Sequence, residues 1–125
     1  MQKIKFDRQG LVPGIIQDDR SGRVLTLSYF NAEALRKTVS EGKVYVYRRS
    51  QGRVMMKGVF SGHTQEVRTL HIDCEGKSIL LRVRAKVASC HKGYFSCYFG
   101  RLTRNGSWTQ SEKRVFDPKK VYKTS

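Results

Sequence analysis

Cysteine, proline and acidic side chains are scarce in this 125-residue chain, which has three, two and ten of them. An odd cysteine count does not suit a disulfide framework, and a reducing compartment leaves thiols free, so thiolates that bind a metal are the better reading. No apolar stretch approaches the roughly 20 residues of a membrane span, and the opening MQKIKFDRQG has no hydrophobic signal core. A cytoplasmic protein with no membrane partner is expected. Pro13 and Pro118 lie near the ends, glycines fall singly, and no repeat or low-complexity tract breaks the chain. One domain over residues 1–125 follows, with 1–9 as an N-terminal extension and 101–125 as a basic C-terminal segment.

Positive charge is abundant instead. Lys and Arg number 25, giving a formal net charge of +15. Residues 1–76 hold 13 basic and 8 acidic side chains, a net +5, whereas residues 77–125 hold 12 and 2, a net +10. Such a field speeds encounters with polyanions and supports salt-dependent phosphate contacts without naming the polyanion. An adaptation of surface charge unrelated to function is the bland alternative. Twelve Phe and Tyr residues within a 38% apolar fraction suffice for a packed core.

LVPGIIQ and VLTLSYF, separated by the turn residues DDRSG, predict a hairpin. Asn31 stands where a helix N-cap would, before AEALRKTVSE, with Ala34, Leu35 and Val39 on one side and Gly42 as a stop. KVYVYRRS, RVMMKG, VRTLHIDC and ILLRVRAKV are rich in β-branched and aromatic residues and predict strands. In the last of these Leu81, Val83, Ala85 and Val87 alternate with Arg82, Arg84 and Lys86, so one face is core and the other a cationic ladder. A solvated sheet face is the ordinary fate of such a ladder. A nucleic-acid-binding face made by Arg82, Arg84 and Lys86, extended by Arg101 and Arg104, is the functional one.

SCHKGYFSC, residues 89–97, concentrates two thiols and an imidazole in nine residues. Cys74 precedes Cys90 by sixteen residues, and Cys97 follows by seven. Three thiolates favour zinc and leave a fourth tetrahedral position open, the pattern of catalytic rather than structural sites. Free cysteines are also frequent core residues, and the ligands need not come from one chain: a site shared across a two-fold dimer is equally open.

The stretches LVPGIIQDDRSGRVLTLSYFNAEALRKT, RRSQGR, KGVFSGHTQ, DCEGKSILLRV, SCHKGYFSCYF and RVFDPKKVY, in that order, resemble the phosphoribosyl-AMP cyclohydrolase family over about residues 10–122. The resemblance implies a mainly β α+β domain that forms an intertwined homodimer, and an enzyme of histidine biosynthesis that hydrolytically opens the purine ring of a nucleotide. It assigns zinc to Cys74, Cys90 and Cys97 with ligands from both chains, and makes His91 the base that assists attack of water on the purine carbon. It also assigns Lys57, Gly58, Ser61 and Gly62 to substrate binding, where the glycines permit close backbone approach and the lysine and hydroxyl suit a phosphate.

The departures from the family pattern are equally specific. The family's Asp-Cys-Asp-x-Asp, whose carboxylates hold magnesium, reads Asp73, Cys74, Glu75, Gly76, Lys77 here. One ligand survives, one is lengthened and one is a cation, so a magnesium site on Asp73 and Glu75 is lost or rebuilt. Met55 replaces a tryptophan, Val59 an acid and Phe95 an arginine. Three function classes therefore stand side by side: a zinc-dependent cyclohydrolase, a non-catalytic basic paralogue that binds RNA or a ribonucleoprotein assembly, and a zinc-stabilised subunit of a larger assembly.

Overall fold

LVPGIIQ and VLTLSYF form the expected hairpin of β1 (Val12–Asp18) and β2 (Val24–Phe30), paired antiparallel from Val12↔Phe30 to Gln17↔Val24. In the computed structural model, residues 3–58, 64–85, 94–111 and 113–115 are described. Asp18 closes the hairpin turn, its carboxylate accepting the Ser21 amide at 2.9 Å and the Ser21 hydroxyl at 2.6 Å. Burial pushes this carboxyl upward, but the hydrogen bonds from Ser21, a backbone contact at Ala85 and the charge of Arg20 together hold it below its ordinary value.

Helix α1 (Ala32–Glu41) has the predicted caps: Asn31 accepts the Ala34 amide at 2.8 Å, and Gly42, at φ 71°, sends its N–H to the Thr38 carbonyl. The buried face differs from the expected one. Ala34 and Thr38 are buried, Leu35 is half-buried, and Val39 is 70% exposed. Thr38 can occupy the core because its hydroxyl is satisfied there, donating to the Ala34 carbonyl at 2.8 Å and accepting the Tyr45 amide at 3.0 Å. Val39 instead lines an apolar groove with Phe6, Leu35 and Arg36.

Four further strands match the sequence expectation: β3 (Tyr45–Arg48), β4 (Arg53–Met56), β5 (Gln65–Ile72) and β6 (Ile79–Ala85). β7 (Gly100–Leu102) and β8 (Trp108–Gln110) form an exposed hairpin that the sequence reading omitted. Its signal is Asn105-Gly106, where Gly106 takes φ 86° and Thr103 closes the turn through Ser107.

The main sheet has the order β2-β1-β6-β5, with β1 parallel to β6 and the other neighbours antiparallel. Val12, Ile16, Leu25, Phe30, Ala34, Val44, Val46, Ile79, Leu81 and Val83 make the core on one side of it. Gly14 is required by that packing: a Cβ there would lie 2.4 Å from the Phe30 ring. Ile4, in the segment read as an extension, packs against the same core. The result is a small single α+β domain, mostly strands with one helix among the described residues. Among them no helix is long and apolar enough to cross a membrane.

The opposite sheet face is mixed rather than purely cationic. Arg82 and Arg84 do point away from the core positions Leu81 and Val83, while Lys86 and Val87 lie outside the described residues. The register places Leu27, Ile15, Leu80 and His71 in one row across this face, with Ile15 37% and Leu27 41% exposed.

Candidate metal and nucleotide site

Residues 73–78 form the turn between β5 and β6. Asp73 organises it: Oδ1 accepts the amides of Glu75 at 3.1 Å and Lys77 at 2.9 Å, and Oδ2 accepts the Ser78 hydroxyl at 2.7 Å. The Ser78 hydroxyl first, then these amides, hold the Asp73 carboxyl below the usual range. Gly76 takes φ 74° to complete the turn, and its carbonyl accepts the Lys5 amide at 2.7 Å. Cys74 is thereby presented as an exposed free thiol.

Cys97 is positioned from a different element. Ser96 is fully buried and donates its hydroxyl to the Val24 carbonyl at 2.7 Å, while the Cys97 amide donates to the Leu25 carbonyl at 2.7 Å. Both bonds fasten the segment to β2 and leave Cys97 half-buried. Sequence reasoning did not single out Ser96, although its place beside the third cysteine was a signal. Phe95, at the position of the family's arginine, packs against the core.

β2 and β5 are the two edges of the sheet. Between the β5–β6 turn and β2 lie two to three strand spacings of about 4.8 Å, and the register sets Ile79 level with Ser28, three residues of about 3.3 Å each from Leu25. The backbone positions that carry Cys74 and Cys97 in one chain are therefore roughly 14 Å or more apart. Two sulfurs on one zinc lie no more than about 4.6 Å apart, since each Zn–S bond is about 2.3 Å. Among the described residues no cluster of three metal-ligating side chains occurs. At this spacing one chain by itself does not bring these two thiols onto one metal. Cys90 and His91 lie outside the described residues.

The carboxylates of the same turn do not fit magnesium. That ion requires near-octahedral oxygen ligation. Asp73 already accepts three hydrogen bonds, and the Lys77 ammonium, where the family has a carboxylate, stands 3.3 Å from Glu75 Oε2.

The segment 57–62, to which the resemblance assigns substrate binding, is described in part. Lys57 follows β4 with its amide bonded to the Val44 carbonyl at 2.8 Å, and Gly58 takes φ 84°. Val59, Ser61 and Gly62 lie outside the described residues. Met55, where the family has tryptophan, is buried opposite Val46 in the β3–β4 hairpin.

The basic candidates are dispersed. Arg82 pairs with Asp19 at 3.4 Å, Arg84 is exposed on β6, and Arg101 and Arg104 sit on the β7–β8 hairpin. Tyr94 and Phe99 stack on each other with centroids 3.7 Å apart, which occupies a face of each ring, while Tyr98 is 53% exposed.

Residues 26–99 match the family model for phosphoribosyl-AMP cyclohydrolase. The phosphoribosyl-AMP cyclohydrolase of Chlorobaculum tepidum is 39% identical over 122 residues, covering 98% of this chain and 89% of the relative. That of Chloroherpeton thalassium is 42% identical over 123 residues, and that of Desulforapulum autotrophicum 42% over 125, with 98% of this chain covered in both and 88% and 100% of the relatives. The 73–78 turn thus lies inside the matched region, and the chain belongs to the phosphoribosyl-AMP cyclohydrolase family.

Proposed function

We propose that this chain is a zinc-dependent phosphoribosyl-AMP cyclohydrolase that works as a two-fold homodimer, hydrolytically opening the purine ring of its nucleotide in histidine biosynthesis. The match at about 40% identity over nearly the whole chain carries the activity. The placement of Cys74 and Cys97 at opposite sheet edges supports the dimer, with Cys74 from one protomer and Cys90 and Cys97 from its partner around each zinc. The apolar row of Leu27, Ile15 and Leu80 supplies a face for a second copy to cover.

When bound, zinc supplies a Lewis acid that makes water an effective nucleophile near neutral pH. The chain's own residues do the rest. His91 takes the proton released as water adds to the purine carbon and returns it to the departing ring nitrogen. Lys57 and Ser61 hold a phosphate of the nucleotide, while Gly58 and Gly62 let the backbone approach it. No step is assigned to magnesium.

Purified zinc-loaded protein incubated with phosphoribosyl-AMP should show ring opening that is lost in His91→Ala. The shared metal centre is tested by co-expressing Cys74→Ser and Cys97→Ser chains. Each variant alone should retain no tightly held zinc, whereas the mixed dimer rebuilds one intact site and holds one zinc per dimer. A mixed dimer as empty as its parents would place all ligands within one chain.

One observation favours a second reading, a polyanion-binding role carried by the β7–β8 hairpin. Trp108 is 72% exposed, Leu102 lies opposite it, and Arg101 and Arg104 flank them with no acidic residue between 94 and 111. An exposed aromatic beside cations suits stacking on single-stranded RNA. Trp108 is the only tryptophan, so single-stranded RNA should quench the protein's indole fluorescence, less so as salt rises. Unchanged fluorescence would remove this role and leave the enzyme reading untouched.

A further inference from the structure

We propose that at the 73–78 turn the Lys77 ammonium takes the place of a divalent cation, so that this chain binds no magnesium there and offers the nucleotide's phosphate a built-in positive charge. The identity of the ligand rests on the cyclohydrolase reading; the exclusion of the cation does not.

Charge is the first reason. The turn holds two carboxylates, Asp73 and Glu75, and one ammonium, Lys77, which cancels one of the two negative charges. A single remaining negative charge is a weak draw for a dication whose hydration shell, in the case of magnesium, is given up reluctantly. Geometry is the second. Asp73 spends three of its roughly four acceptor positions on the amides of Glu75 and Lys77 and on the Ser78 hydroxyl. Those bonds leave Asp73 about one acceptor position for a metal, and with Lys77 in the turn no third carboxylate completes a site around it.

The Lys77–Glu75 pair has the looseness a ligand-receiving cation needs. Its Nζ–Oε2 distance is 3.3 Å and both side chains are 66% exposed. A pair so open to water is weakly held, so the ammonium can leave Glu75 for a phosphate oxygen at small cost. A lysine binds phosphate as a mobile point charge, without the fixed angles that a metal imposes. Because Lys77 is three residues from Cys74, its charge acts beside the thiol that the proposed zinc site uses.

Manganese, titrated into the zinc-loaded full-length protein and followed by electron paramagnetic resonance, reads the turn without any need for turnover. The wild type should leave the free-ion signal undiminished, whereas Glu75→Asp/Lys77→Asp should gain a stoichiometric site. AMP serves as the phosphate-bearing probe in calorimetry. Its affinity for the wild type should not change with added magnesium, and Lys77→Gln should weaken it about tenfold, the effect of losing one charge–phosphate contact. Manganese bound by the wild type, AMP affinity that rises with magnesium, or a Lys77→Gln variant that binds AMP as well as its parent would each overturn the proposal. Failure of every form to bind AMP would sink the phosphate half together with the cyclohydrolase reading, and the manganese titration would still decide the turn.

Discussion

Thr38 shows how a single side chain can overrule a hydrophobic pattern. Its hydroxyl bridges the Ala34 carbonyl of its own helix and the Tyr45 amide of β3. A buried amide without a partner costs more than a hydroxyl costs to bury. Thr38→Val, nearly isosteric and more apolar, should therefore destabilise the protein by about 1–3 kcal/mol, because the Tyr45 amide loses its acceptor. Thr38→Ser should retain most of the stability. Denaturant titration of the three proteins decides between hydrogen bonding and apolar burial as the reason for the residue's place.

At the scale of elements, the β1–β2 hairpin depends on the Asp18 carboxylate. Because its pKa is depressed in the folded state, the stability it contributes is fully present above its unfolded value near 3.8 and is lost as pH falls through the lower folded value. Ser21→Ala removes the shorter of its two Ser21 contacts, the hydroxyl bond at 2.6 Å. The acid-unfolding transition, followed by circular dichroism, should then move to higher pH, with a loss of about 1 kcal/mol at neutral pH. An unshifted acid limb would mean that the turn amides alone hold Asp18. The second hairpin, β7–β8, is exposed along both strands, and Ser111 extends its ladder by one position at the Phe99 carbonyl. Two isolated strands are marginal in water, so this element belongs to the low-stability part of the molecule.

For the whole molecule, the dimer proposed above brings together two like faces. Ile15 and Leu27 are register partners on the outer sheet face, and both are more than a third exposed in the single chain. Ile15→Arg/Leu27→Arg should shift the protein from dimer to monomer in sedimentation and release zinc in the same titration, since each centre would lose one contributing chain. Monomers that keep their zinc would separate the sheet face from the metal site. The net +15 adds repulsion between two copies, so the proposed dimer should tighten as salt rises, opposite to the salt response of any RNA contact.

Much of this fold is written locally. The Asn31 and Gly42 caps, the alternation in β6, and the DDRSG turn between β1 and β2 depend on residues a few positions apart, and each was legible in sequence. The Asn-Gly turn of β7–β8 was equally local and was passed over because its strands are only three residues long. Thr38 instead of Val39 was not legible, since the hydroxyl's second partner lies across the helix–strand packing. The cysteines make the same division. Their number and their neighbours pointed to thiolate chemistry, but periodicity cannot order strands in a sheet. Only the long-range pairing β2-β1-β6-β5 decided that Cys74 and Cys97 stand on opposite edges, because strand spacing multiplies across a sheet while sequence spacing does not.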